Sequence, residues 1–118
     1  VTPCRVIDTR SAAGGLGGPA LVALGDRTFV VAGTCGIPAD AKAISVNIAV
    51  TGATSPGNIR LHPGGTAVPL VSSINFKAGQ TRSNNGVVPL SALGELAVYL
   101  DQASGTAHLI LDVNGYFK

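Results

Sequence analysis

From Ile44 to Thr51 the chain alternates. Ile44, Val46, Ile48 and Val50 fall on one side; Ser45, Asn47, Ala49 and Thr51 fall on the other. A period of two marks a strand with one buried face. The second side is small, polar and uncharged. Shorter segments repeat the theme at Val6–Asp8, Thr28–Val31, Asn58–His62, Ser73–Phe76, Asn85–Leu90 and Glu95–Leu100. The segment Ala107–Val113 holds the continuous run Leu109-Ile110-Leu111, which is expected of a central strand covered on both sides. Pro89 places the end of its strand at an edge or bulge. Ala39–Ala43 has helical propensity but follows Pro38 and runs into β-branched residues, so it predicts a single turn at most. About eight short strands with frequent turns predict an all-β fold. We expect an antiparallel, jelly-roll-like β-sandwich in one domain, residues 1–118.

Turn chemistry separates these strands. Ser55-Pro56-Gly57-Asn58 fits a type II turn with Gly57 at its third position. Ala92-Leu93-Gly94 and Ser104-Gly105-Thr106 read as hairpin connections. Asn85-Gly86 and Asn114-Gly115 are expected at left-handed positions. The segment from Ser11 to Pro19 carries four glycines. It lacks a Gly-Lys-Ser/Thr motif and a following helix, so a phosphate loop is rejected in favour of a loop that crosses between sheets, anchored by Leu16.

Composition changes the picture. Only 12% of the residues are charged, about half the ~25% of an ordinary globular protein. Folded chains keep ions at the surface. This surface is therefore built largely from Ser, Thr, Asn, Gly and apolar atoms, which favours association. The net charge is +2 and the eight basic residues are scattered. No basic stripe with interleaved aromatics appears, which argues against a nucleic-acid partner. No apolar run approaches the ~20 residues of a helical membrane span. The first residue is Val1 rather than Met, which is expected of a chain processed after export.

The candidate chemistry is sparse. Cys4 and Cys35 are an isolated pair that fits no metal or redox motif, and they are expected to form a disulfide. Such a bond implies an oxidising compartment. It would contribute roughly 3–4 kcal/mol by closing its loop. His62 and His108 fall on strands that can be neighbours, but no third ligand accompanies them. Asp8 and Asp112 approach one another if the first and last strands pair. We expect them to act structurally, with Arg10 as a charge partner. A calcium site from Asp8, Asp101 and Asp112 has no supporting spacing. No Gly-x-Ser-x-Gly elbow and no nucleophile–base set is visible, so we expect no enzyme activity, no catalytic residue and no cofactor. Tyr99, Tyr116, Asn47 and Asn75 are the candidate contact residues.

Several segments together carry a resemblance. The chain opens Cys4-Arg5-Val6-Ile7-Asp8-Thr9-Arg10. It continues through Gly17-Gly18-Pro19, Cys35-Gly36-Ile37-Pro38, Ser45-Val46-Asn47, Ser73-Ile74-Asn75-Phe76 and Ala78-Gly79-Gln80-Thr81. It closes on Leu111-Asp112-Val113-Asn114-Gly115-Tyr116-Phe117. In this order, over nearly the whole length, it resembles a β-rich domain of exported bacterial proteins. Members of that family occur alone, in tandem or beside cell-wall amidases and proteases. The resemblance implies secretion and a non-catalytic role, and it supplies no ligand residues. With no enzyme beside it, the domain is expected to work through its own surface. We therefore expect an extracellular structural protein whose partners are copies of itself, assembled into a fibre or surface layer. The alternative is an accessory module that binds polysaccharide or peptidoglycan.

Overall fold

In the computed structural model, which describes residues 3–118, nine strands follow one another without a helix. They are β1 (Cys4–Asp8), β2 (Leu21–Val22), β3 (Asp26–Val30), β4 (Ala43–Thr51), β5 (Gly57–Pro63), β6 (Ile74–Phe76), β7 (Arg82–Pro89), β8 (Glu95–Gln102) and β9 (Thr106–Phe117). The alternation in β4 becomes structure directly. Ile44, Val46, Ile48 and Val50 are buried, and the residues between them are half-exposed.

Two antiparallel sheets form. One has the order β1-β9-β4-β7, with β2 also added to β9; the other has the order β3-β8-β5-β6. Apart from β1–β2 and β5–β6, successive strands cross between the sheets, and the first and last pair side by side. This is the two-Greek-key order of a jelly roll. The inner faces meet in a core that includes Ile7, Phe29, Ile44, Ile48, Ile59, Leu96, Leu100, Leu109 and Leu111, all at most 2% exposed. Each such side chain contributes roughly 1.5–3 kcal/mol through removal from water.

Several expectations change. The strand β2 was not foreseen; it is two residues long and too short for a periodic pattern. Strand β9 is central, as its apolar run implied, yet it alternates: Leu109 and Leu111 are buried while Ile110 is only half-buried. Gly57 does not sit in a type II turn but opens β5. A Cβ there would collide with the Asp101 carbonyl oxygen of β8. The residue is glycine because two backbones approach closely, and the turn before it uses Gly52 at φ +65°. Gly86 and Gly115 are not left-handed either. Both lie within strands, and Asn114 is the extra residue of a bulge, since Ser45 faces Gly115 while Val46 faces Val113. Gly94 (φ +71°) and Gly105 (φ +83°) do turn the chain, but neither closes a hairpin: β7 and β9 lie in one sheet and β8 in the other, so both turns carry the chain between sheets. Ala39–Asp40 forms a turn closed by Ala41 N donating to Pro38 O.

Cys4 and Cys35 are bonded, joining β1 to the loop after β3. The Gly-rich loop is held by Arg27. Its guanidinium donates to the carbonyls of Gly14, Gly17 and Pro19 at 2.9 Å. It also lies 4.5 Å from the centroid of Phe29. The loop is held by one arginine and Leu16 packs against the core, but it does not cross between sheets: it joins β1 to β2, which both pair with β9.

Candidate functional site

The outer face of the five-stranded sheet carries a ladder across four strands. Arg5 of β1 faces Asp112 of β9, Asp112 faces Asn47 of β4, and Asn47 faces Asn85 of β7. Arg5 Nε donates to Asp112 Oδ1 at 2.9 Å. Arg10 Nη2 donates to Asp8 Oδ2 at 2.9 Å, and Arg5 Nη1 lies 3.9 Å from that same oxygen. The result is an alternating chain of charge, Arg10–Asp8–Arg5–Asp112. The Arg10 side-chain hydrogen bond holds the Asp8 carboxyl down to about 2, from an ordinary 3.8. Partial burial opposes this, while the Arg10 backbone N–H and the charges of Arg10 and Arg5 reinforce it. Asp112 and Asp8 in turn raise the pKa values of Arg5 and Arg10 respectively.

This geometry answers the carboxylate question. Asp8 and Asp112 do approach, and Arg5 stands between them. Asp112 pairs with Arg5, not with Arg10 or Asn114. Asp101 lies on the other sheet, so the three aspartates do not converge on a cation. Among the described residues no three His, Cys, Asp or Glu side chains gather as metal ligands.

The outer face of the four-stranded sheet holds a second cluster. Arg60 Nη2 bonds Asp101 Oδ2 at 2.7 Å, its Nε donates to Asn58 Oδ1, and its Nη1 donates to Pro69 O. The guanidinium sits 5.9 Å from the Tyr99 ring centroid. Beside it His62 is buried at 3% exposure. Its Nε2 lies 2.9 Å from Asp26 Oδ1, and its Nδ1 faces Pro63 O at 3.0 Å and Thr66 Oγ1 at 2.9 Å. The acid–imidazole–hydroxyl order looks like a relay. However, Thr66 gives its proton to Pro63 O at 2.7 Å, so the ring does not activate the hydroxyl. The arrangement locks the loop after β5 onto the sheet. His108 is not a neighbour of His62. It lies on the first sheet and bonds Thr9 Oγ1 at 3.0 Å through Nδ1.

The candidate contact residues are dispersed. Asn47 is half-buried in the ladder, and Tyr99 is half-covered by Arg60 on the other sheet. Asn75 is exposed and accepts from Ser72 Oγ. Tyr116 is exposed near the end of β9, next to the exposed Phe117. Sequence reasoning missed Asp26, Asn58, Arg60 and Thr66. Only the pairing of β3 and β5 with β8 brings Asp26 and His62 together across 36 positions.

Four of the five aspartates are in ion pairs, with Asp40 to Lys118 completing that set, and the fifth, Asp26, is hydrogen-bonded to His62. Arg27 is engaged by carbonyls. Meanwhile large apolar side chains stand in solvent. Leu70 is 94%, Val71 79% and Leu93 75% exposed, and Val22, Leu24, Val30 and Val87 are each more than half exposed.

The fold has solved counterparts. The coat protein of Tobacco streak virus, in a structure of its dimer, is similar over 97% of this chain and 84% of that one, at 15% identity and a TM-score of 0.52. A second crystal form of the same coat protein gives 18% identity and a TM-score of 0.49 over the same shares. The likeness is one of fold. No family model matches the chain, and no curated protein is significantly similar to it.

Proposed function

We propose that this chain is a non-catalytic structural protein that associates with copies of itself in an extracellular assembly. One observation carries the reading: the aspartates and most arginines are tied up in contacts within the molecule, while large aliphatic side chains are left in water. Unpaired charge keeps neighbouring molecules apart, and exposed apolar area draws them together. Here the first is depleted and the second retained. The architecture itself is compatible with assembly, since a coat protein described as a dimer shares it. The disulfide and the resemblance to exported bacterial domains support a location outside the cell or at its surface.

Sedimentation and electron microscopy of the purified oxidised chain test this. The expected result is association that grows with concentration and ends in regular particles. A chain that stays monomeric at every concentration and is retained by peptidoglycan or polysaccharide overturns it in favour of a binding module.

A further inference from the structure

A β-sandwich has four sheet edges, and three of these are guarded. At β1 the Asp8 N–H is taken by Leu16 O, and Cys35 Sγ faces the Arg5 carbonyl. At β7 the side chain of Asn84 caps the N–H of Asn85, and Pro89 offers no N–H. Strand β6 is only three residues long. These are the usual ways of blunting an edge against other chains.

Strand β3 has no such device. Leu100 N donates to Gly25 O, and Val31 N donates to Gly94 O. With Asp26 opposite Tyr99 and Val30 opposite Glu95, this phase turns the N–H and C=O of Arg27 and Phe29 towards β8. The same groups of Asp26, Thr28 and Val30 point away from the sheet. None of them has a partner among the described residues. All three residues are exposed, and Val30 is 54% accessible.

We propose that β3 is the self-association edge, pairing antiparallel with β3 of a second copy about a two-fold axis through Thr28. This deepens the proposed function and rests on it. The register is self-complementary. Thr28 meets its own copy, and Asp26 of each chain lies opposite Val30 of the other. All three outward N–H groups of each strand then find a carbonyl. A register centred on Asp26 would set two carboxylates face to face, which is unfavourable. The central register joins two four-stranded sheets into one continuous sheet, by strand addition between identical surfaces. So short an edge buries less than the ~1,200–2,000 Å² of stable interfaces, so this contact is weak and concentration-dependent. It closes a dimer, and a longer assembly takes a second contact elsewhere.

Two kinds of variant test the register. Thr28 is exposed and its backbone groups make no internal bond, so its substitution leaves the fold intact, as circular dichroism would verify. Thr28→Lys sets like charges on the axis and is expected to weaken self-association by roughly tenfold or more. Thr28→Cys is expected to give a covalent dimer on oxidation, because facing residues lie about 5.5 Å apart at Cα. Val30→Cys is not expected to, since its copy sits four residues away, roughly 13 Å. If the parent chain associates and Thr28→Lys associates equally tightly, the β3 contact is wrong and self-association stands. Equal cross-linking of both cysteine variants also refutes the register. A parent chain that never associates removes both proposals at once.

Discussion

Asp8 gathers more partners than any other ionised side chain of the first sheet. It takes two bonds from the Arg10 side chain and one from the Arg10 backbone N–H, with Arg5 nearby. All of these favour the carboxylate over the acid, which is why its pKa falls to about 2. The sign follows from linkage. The unfolded chain binds a proton at the ordinary 3.8 and the folded chain does not, so the contribution is full above that value and fades as pH falls through about 2. The group is on the surface, so the effect stays within about 1 kcal/mol. Asp8→Asn should therefore lower stability at neutral pH and make little difference near pH 2. Urea unfolding of both chains at the two pH values checks this. A glycine makes a second, independent prediction. Gly57→Ala drives a methyl into the Asp101 carbonyl of β8. Backbone cannot yield as a flexible side chain can, so the variant should lose roughly 1–3 kcal/mol, seen as a lower midpoint in the same unfolding experiment.

Strands reveal which parts of this architecture the residue pattern can announce. In β4 each outer residue is small and polar and each inner one aliphatic, so sequence and burial coincide. The pairing of Cys4 with Cys35 and of Asp8 with Arg10 was equally open to reading, because each needs only a count or a short spacing. What lay hidden depends on contacts across the sheets. A glycine chosen for close approach looks like one chosen for a turn, as Gly57 shows. His62 reads as a polar strand residue until β8 sets Asp26 two strands away. Asn114-Gly115 looks like a turn and is a bulge, since only the partner β4 defines the extra residue. The Gly-rich segment was legible as a loop, but its course from β1 to β2 along one sheet and its organiser were not. Arg27 holds four of its carbonyls from an adjacent strand. A planar fork of donors does this, and a lysine cannot reproduce it. Arg27→Ala and Arg27→Lys should both loosen residues 11–19. Limited proteolysis would show cleavage there that the parent chain resists.

Across the whole molecule, the jelly-roll order makes the chain's two ends into neighbours. Strand β1 pairs with β9 over a separation of 107 positions at Arg5 and Asp112. Closing so large a loop costs entropy before any contact compensates it. The bond between Cys4 and Cys35 acts on that problem from one side. It ties β1 to the end of β3, a separation of 31 residues, and so holds the first strand near the core that β9 completes. Cutting it leaves every hydrogen bond of the β1–β9 ladder in place but returns freedom to the unfolded chain. Replacing both cysteines with serine should therefore lower stability by roughly 2–4 kcal/mol while preserving the strand content. The loss should also be uneven. Strand β1 is a short edge strand, bulged between Arg5 and Ile7, whereas β4 is enclosed between β7 and β9. Hydrogen exchange should consequently speed up first at Arg5–Asp8 and leave the centre of β4 protected until global unfolding. A uniform acceleration across both strands would mean that the bond stabilises the sandwich as a whole and not the docking of its first strand.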